Sequence, residues 1–591
     1  MRISTANMYA TSVATMNAQE QAVFTAQQQV STGKRILSPE DDPVGAASAV
    51  RLNQQISRNT NFANNRASAE SQLNQVGTTL TSVTNLLTSV KSSIVQAGNA
   101  SLDPSQKQAI ATQLQQQMQE LQGYANTQDG NGEYLFAGWQ VHTQPYVLGN
   151  YANTASAAGN TGSGSLSVNT ISGQLTASQA ASINISQTDN SISPTQYTYT
   201  VNGQAGGTVA SGGQFTVNGV QLTLNGTPAL GDTFTLSPSA TLYQGDTGTR
   251  PVEINDGREL STTLAGPSVF DSVPTGNGTF ATSATVGNLG SGIIDQGSVT
   301  DPTKLTHDNY AIQFSGAPAA SAAASNTGTA KLAAANPAGS LSTNDSYQLS
   351  FANGGSTYSV IDTTSGATVA SNQAYTAGSA ISVMGANFSM TGTPAAGDQF
   401  TIAPGPATSY SVVDLTKTTP DPANPNGPGI PASVLSNQPF TSGQAIKFGG
   451  MSVSVTGAPV NGDSFSVEPS TSTSIFSIMK MAIDALNNPG SGTAGSTQYA
   501  NQINQANAGI DAALTQVDLN QATVGGRINE LTSLDSTGAQ QAITLQQQLT
   551  TITSVDFTAA VSTLTQAQTA LAAAQKSFTQ VAGLSLFNYI Q

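Results

Sequence analysis

Between Leu73 and Ala97 the chain reads LNQVGTTLTSVTNLLTSVKSSIVQA. Its apolar residues Leu73, Val76, Leu80, Val83, Leu87, Val90, Ile94 and Ala97 fall at spacings that alternate three and four. Each lands one helical turn from the last, on a single seam, which is the pattern of a coiled coil. Neighbouring signals bound this helix: Asp42-Pro43 offers an N-cap and a proline at the first helical position, and Gly98-Asn99 offers a stop. A second helix is predicted from Asp103-Pro104, with Ile110, Leu114, Met118 and Leu121 on one face, up to the turn-rich run Asp129-Gly130-Asn131-Gly132.

Working outward, the far end of the chain repeats the pattern. Ile503, Ala506, Ile510, Leu514, Val517, Gln521, Val524, Ile528 and Leu531 keep the three-and-four spacing, with two successive fours around Ile510, and Ala560, Leu564, Ala567, Leu571, Ala574, Phe578 and Val581 keep the strict alternation. The first thirty residues carry a weaker seam, Tyr9, Val13, Met16, Val23 and Val30, interrupted by Glu20 and Gln27. The other faces are Gln, Asn, Ser and Thr, so each stripe needs a partner helix to become dry. The seams at 73–97 and 503–531 are expected to pair inside one monomer. The extreme ends, 1–30 and 560–591, are expected to be buried only against neighbouring subunits and to be marginal or disordered alone.

The middle of the chain has a different composition. Residues 141–475 hold six Lys or Arg against 17 Asp or Glu, and are rich in Gly, Ser, Thr, Val and Pro, which favours strands and turns. The predicted fold class is therefore α + β and multidomain: a coiled-coil or helical bundle built from both chain ends, with β-rich domains inserted between them. Five divisions are expected. Residues 1–42 and 545–591 are terminal helices, disordered until assembly. Residues 43–146 and 475–544 form the coiled-coil domain. Residues 147–242 are a β-rich insertion, 243–299 a β segment of the core, and 300–474 a β-rich outer domain.

Three segments of the middle resemble one another: GVQLTLNGTPALGDTFTLSP ending at Pro238, GANFSMTGTPAAGDQFTIAP ending at Pro404, and GMSVSVTGAPVNGDSFSVEP ending at Pro469. Each has Gly six residues before Asp and Phe two after it: Gly226, Asp232 and Phe234; Gly392, Asp398 and Phe400; Gly457, Asp463 and Phe465. Alternating apolar residues flank the Gly-Asp turn, which predicts a hairpin. Asn372-Gln373 and Asn437-Gln438 open a second shared run, so a partial duplication within 300–470 is expected. Ala317 to Asn336 is low in complexity and is expected to be a loop or linker. One carboxylate per copy cannot supply the six to eight oxygens calcium takes, so the repeated Asp is assigned to turn geometry and no metal is expected.

Composition also excludes functions. Of 591 residues 8% are charged, against roughly a quarter in ordinary domains, and the net charge is -15, which disfavours phosphate backbones and nucleic-acid partners. No Cys is present, removing thiol chemistry and cysteine-bound zinc. His142 and His307 lie far apart, without a zinc-binding spacing and without a nucleophile elbow. Asp41 and Asp42, at a helix start, are more simply a cap than an acid/base pair. No enzyme, catalytic residue or cofactor is expected. No run approaches the roughly 18 apolar residues of a membrane span, and the opening MRISTANMYATSV lacks the apolar core of a secretory signal.

The opening MRIST, STGKRILSPEDDPVGAASA (Ser31 to Ala49), NGEYLFAGWQVHTQPY (Asn131 to Tyr146), YQGDTGTRPVEINDGREL (Tyr243 to Leu260), GPSVF (Gly266 to Phe270), VGGRINELTSL (Val524 to Leu534) and the ending LSLFNYIQ resemble the flagellin superfamily. Within it they are most similar to the hook–filament junction members, hook-associated proteins of the third type. The departures are the longer middle and PEDDP in place of the commoner PSDDP. The resemblance implies a structural part of the bacterial flagellum, secreted unfolded through the flagellar type III export apparatus, extracellular, and serving motility. It implies a homo-oligomeric ring with a hook-associated protein on the hook side and flagellin on the filament side, and a cytoplasmic export chaperone on the C-terminal helix. Terminal helices would line the tube and the β-rich middle would project outward. A flagellin filament subunit, or an adhesive outer domain in a secondary role, are the alternatives.

Overall fold

The structure is a computed structural model and describes residues 5–156, 160–171, 181–189, 194–202, 204–285, 287–334, 345–363, 366–419 and 430–583. The helices are α1 (Thr5–Thr32), α2 (Pro43–Ala97), α3 (Pro104–Ala125), the short α4 (Gly266–Phe270), α5 (Ile475–Asn487), α6 (Gly492–Thr553) and α7 (Phe557–Gly583). Two units are distinguished. One comprises Met1–Asn74, Pro251–Thr262 and Gly525–Gln591, and the other Gln75–Arg250 and Thr263–Val524.

The helix starts follow from local chemistry. Asp42 accepts the Gly45 N–H at 2.8 Å, and Asp103 forms a reciprocal capping box with Gln106. In contrast, α6 runs straight through the boundary expected at 544/545. Nothing in its Gln- and Thr-rich sequence there breaks a helix, and the break comes instead at Ser554–Asp556. There Asp556 accepts the N–H groups of Thr558 and Ala559 and starts α7.

The β-rich middle is three copies of one sandwich. The first is built from β1 (Tyr146–Ser156), β2 (Ser165–Ile171), β3 (Ala181–Asp189), β4 (Gln196–Val201), β5 (Gln204–Ala210), β6 (Gln214–Val217), β7 (Val220–Asn225) and β8 (Thr233–Tyr243). Its sheets run β1-β8-β3-β4-β5 and β2-β7-β6. Next comes the hairpin of β9 (Pro251–Asn255) and β10 (Arg258–Ser261), then the short β11 (Val273–Pro274). The second sandwich begins with β12 (Phe280–Ala284), β13 (Ile293–Ile294), β14 (Ser298–Val299) and β15 (Tyr310–Ser315).

The third sandwich then intervenes: β16 (Ala319–Ala322), β17 (Lys331–Ala334), β18 (Tyr347–Ala352), β19 (Thr357–Asp362), β20 (Thr368–Ala374), β21 (Ile381–Val383), β22 (Ala386–Thr391) and β23 (Gln399–Ala403). The second resumes with β24 (Ser409–Thr419), β25 (Ile430–Pro439), β26 (Ala445–Phe448), β27 (Met451–Thr456) and β28 (Ser464–Pro469), and β29 (Ser472–Thr473) pairs with β11. The five-stranded orders β12-β28-β15-β24-β25 and β16-β23-β18-β19-β20 reproduce that of the first copy. The third copy is thus threaded into the second where the first has only the β3–β4 connection.

Three sequence-based expectations are corrected here. The Gly-Asp turn does not close a hairpin. β7 and β8 lie in different sheets, as do β22 and β23, and β27 and β28. Alternation reports one buried face per strand and is blind to which sheet the strand joins. The tight hairpins precede it, at Asn218-Gly219, Met384-Gly385 and Gly449-Gly450, where both central residues have positive φ, as a type I′ turn requires. The expected linker Ala317 to Asn336 is described only as far as Ala334, and that part is not a linker, since β16 and β17 form there from Ala-rich sequence. Finally, the divisions at 243–299 and 300–474 do not follow the domains, because β12 pairs with β28. That pairing spans most of the second copy and leaves no local signal.

The repeated Asp has a single job. Asp232 accepts N–H bonds from Thr161, Gly162 and Ala229. Asp398 accepts them from Thr327, Gly328 and Ala395, and Asp463 from Leu289, Gly290 and Val460. An Asn two residues before each glycine closes the same latch in both directions, as Asn288 does with Ser464. A Cβ on Gly162, Gly328 or Gly290 would stand 2.3–2.5 Å from the carboxylate, so these positions require glycine.

The ends of the third copy meet. A Cβ on Gly405 would lie 1.8 Å from the Ala317 carbonyl oxygen. Asn461 of the host sandwich donates its N–H to Gly405 and accepts that of Gly316. Deleting residues 317–405, joining Gly316 to Pro406, is therefore expected to leave the second sandwich folded. Its stability should change by about 1 kcal/mol, the scale of a loop-closure difference. Thermal unfolding followed by circular dichroism checks this, and loss of the remaining β transition would refute it.

Candidate assembly surface

The two terminal helices lie side by side and antiparallel. Tyr9 meets Phe578 edge-on, with 5.5 Å between ring centroids. At the other end the Phe557 ring closes on Gly33. Each helix therefore has a first partner within the chain, which corrects the expectation that the ends are buried only on neighbours. The pairing is incomplete. Met16, Val23, Val30, Leu564, Leu571 and Phe578 are only half-buried. Val13 is exposed, and Phe24 is 64% and Phe557 56% exposed. The Val581 side chain and the segments Met1–Ser4 and Leu584–Gln591 lie outside the described residues. Two helices share only one face each, so apolar side chains such as Phe24 and Phe557 stay wet.

The connection between α1 and α2 clamps this pair. Arg35 donates its backbone N–H to Thr553 and its Nη2 to Ile552 O and Asp42 Oδ2. Val555 returns an N–H to Gly33 O. Asp41 accepts the N–H groups of Leu37 and Ser38, each at 2.8 Å. These backbone donors hold the Asp41 carboxyl below its usual range, and the Gly45 N–H followed by Arg35 does the same for Asp42. PEDDP is thus a cap and a clamp.

The seams of α2 and α6 are consumed inside the chain. In one unit Val76, Leu80, Val83, Leu87, Val90, Ile510, Val517 and Val524 are fully buried and Leu514 is half-buried. There Gln521 donates to Thr81, Lys91 pairs with Asp511, and the Tyr499 hydroxyl donates to Ala97 O at 2.6 Å. In the other unit Leu73 and Leu531 are buried, Ile528 is half-buried, and Asn59 donates to Gly538 O. Each fully buried Val or Leu is worth about 1.5–3 kcal/mol, so these stretches need no second copy to be dry.

A dense aromatic base carries the first sandwich. Leu135, Phe136 and Ala137 of the YLFAG run are buried. Phe136 meets Phe270 edge-on, and Tyr146 contacts Tyr243, Phe270 and Phe476. Gly138 has φ +70°, and a Cβ there would collide with Asp246. Phe476 belongs to α5, whose near-continuous apolar run after Ser474 was legible but was not singled out. Asp271 accepts the Tyr146 hydroxyl at 2.7 Å, and burial pushes its carboxyl up to about 6.

A raised carboxyl favours the folded state below the ordinary value of 3.8 and loses that advantage as pH climbs to about 6. Asp271→Asn, which still accepts the hydroxyl, should then stabilise the protein at pH 8 by up to about 3 kcal/mol and have little effect at pH 4. Melting curves at the two pH values test this, and an equal difference at both would refute it.

Among the described residues no group of three His, Asp or Glu could hold a metal ion. No described helix is long and apolar enough to cross a membrane. His142 and His307 are both exposed.

Residues 3–141 match the bacterial flagellin N-terminal helical region. Over 146 residues the chain is 35% identical to flagellar hook-associated protein 3 of Salmonella typhimurium and 34% identical to its namesake in Escherichia coli. Each match covers 25% of this chain and 46% of the relative, so the chain spans about half the length of the curated relatives it matches. Among solved structures it is similar to flagellar hook associated protein-3 from Legionella pneumophila, with a TM-score of 0.50 and 20% identity over 85% of this chain and 98% of that one. At that identity the likeness is one of fold.

Proposed function

We propose that this chain is a structural subunit of the bacterial flagellum, a junction protein that joins hook to filament. The observation that carries the reading is the pair α1 and α7, held together by a clamp yet leaving apolar side chains such as Phe24 and Phe557 in water. Its α1 half falls within the stretch, residues 3–141, that matches the flagellin N-terminal helical region. Copies of the chain form a ring through these helices. A hook-associated protein caps the hook side and flagellin continues on the filament side. The subunit leaves the cell unfolded through the flagellar export apparatus, its C-terminal helix held beforehand by a cytoplasmic chaperone. Assembly offsets the ordering entropy of the ends by burying their open faces.

Electron microscopy of a strain lacking the protein tests this. Intact hooks with filaments shed into the medium are expected. Hooks with attached filaments would refute the junction role, and cells that make no filament protein would point to the filament subunit instead.

A further inference from the structure

The β9–β10 hairpin belongs to the same unit as the first part of α2 and the last part of α6, and side chains of both helices grip it. Arg66, 4% exposed, donates Nε to Asp535 of α6 at 3.0 Å and Nη1 to Ile254 O of the hairpin at 3.1 Å. Asn65 donates to Glu253 O, and Arg527 donates to Ser261 O. The Arg258 guanidinium pairs with Glu530. Arg58 also approaches Asp256 of the turn, at 3.9 Å, so a chain with only 17 Lys and Arg in 591 residues spends four of them on one short hairpin.

Gly538 supplies an independent sign. It sits in mid-helix, where glycine weakens α6, and a Cβ there would stand 2.5 Å from Arg66 Nη2. The glycine makes room for the guanidinium. A planar fork can serve partners on two elements at once, whereas an ammonium is a single point charge.

We propose that the hairpin is a strap and that Arg66 is the positioning residue that sets α2 against α6 next to the terminal helices. The consequence for assembly rests on the junction reading above, and the strap itself does not. Hydrogen exchange on the purified full-length protein reads the strap, and filaments retained per cell in a strain lacking the native protein read its consequence.

Arg66→Met is expected to speed exchange of hairpin amides at least tenfold, with β8 amides of the first sandwich unchanged, and to cut retained filaments at least tenfold. Arg66→Lys should fall between. Gly538→Ala, which removes no charge and favours helix, should also loosen the hairpin. Unchanged hairpin exchange in both Arg66→Met and Gly538→Ala overturns the strap. A loosened hairpin with wild-type filament numbers overturns its role in assembly. If the wild-type chain itself fails to retain filaments, the junction reading falls, and the exchange data still decide the strap.

Discussion

A chain carrying Leu571→Asp and Phe578→Asp is expected to be exported in normal amounts and to leave cells without attached filaments. Both side chains are half-buried in α7, and Phe578 rests on Tyr9 of α1. In the lone molecule the cost is modest, because water still reaches them. If neighbouring subunits cover the open faces of α1 and α7, as in the proposed ring, each carboxylate must be taken into a dry seam, at several kcal/mol or more. In the proposed ring the same loss would recur at every contact. The sandwiches have their own cores and should unfold as in the wild type. Counting filaments on cells and in the medium, with the exported subunit measured in parallel, reads the effect. Normal motility would show that these positions face solvent in the assembly.

Asp463→Ala should be the most damaging single change in the second sandwich. The side chain is fully buried and takes the N–H groups of Leu289, Gly290 and Val460. Removing it strands three backbone donors, at roughly 1–3 kcal/mol each where water cannot replace the acceptor. A loss of about 4 kcal/mol is a large share of the 5–15 kcal/mol that holds a domain together, and should lower the melting temperature of that domain by roughly 15 °C or more. Asp463→Asn should recover only part of this, since its amide nitrogen would face an N–H donor. Asp398→Ala should spare the second copy and loosen the third. Differential scanning calorimetry distinguishes the transitions, and an unchanged profile for Asp463→Ala would refute the latch.

Much of this was readable in advance where the signal is local. Asp42-Pro43 and Asp103-Pro104 announced their helices because a cap is made by residues three apart. The three Gly-Asp segments were recognisable as copies. Their partner glycines were missed, although Asn160-Thr161-Gly162 and Asn326-Thr327-Gly328 repeat a tripeptide, because the second half of each latch lies far away in the chain. At the candidate surface the seam residues of α7 were legible as apolar stripes, whereas Arg66 was not. A buried arginine has no pattern of its own, and its meaning depends on a carbonyl from a hairpin nearly two hundred residues away.

By itself the chain determined that its ends are helical, that its middle is β-rich and repeated, and which residues form each stripe. These follow from backbone geometry and spacing, which act over a few residues. Tertiary structure alone decided which stripes are spent within the molecule and which stay open. It also decided that one sandwich is threaded through another, and that a strand pairs across that insertion. Such choices turn on where the water is finally excluded, and exclusion is a property of surfaces brought together from distant parts of the chain.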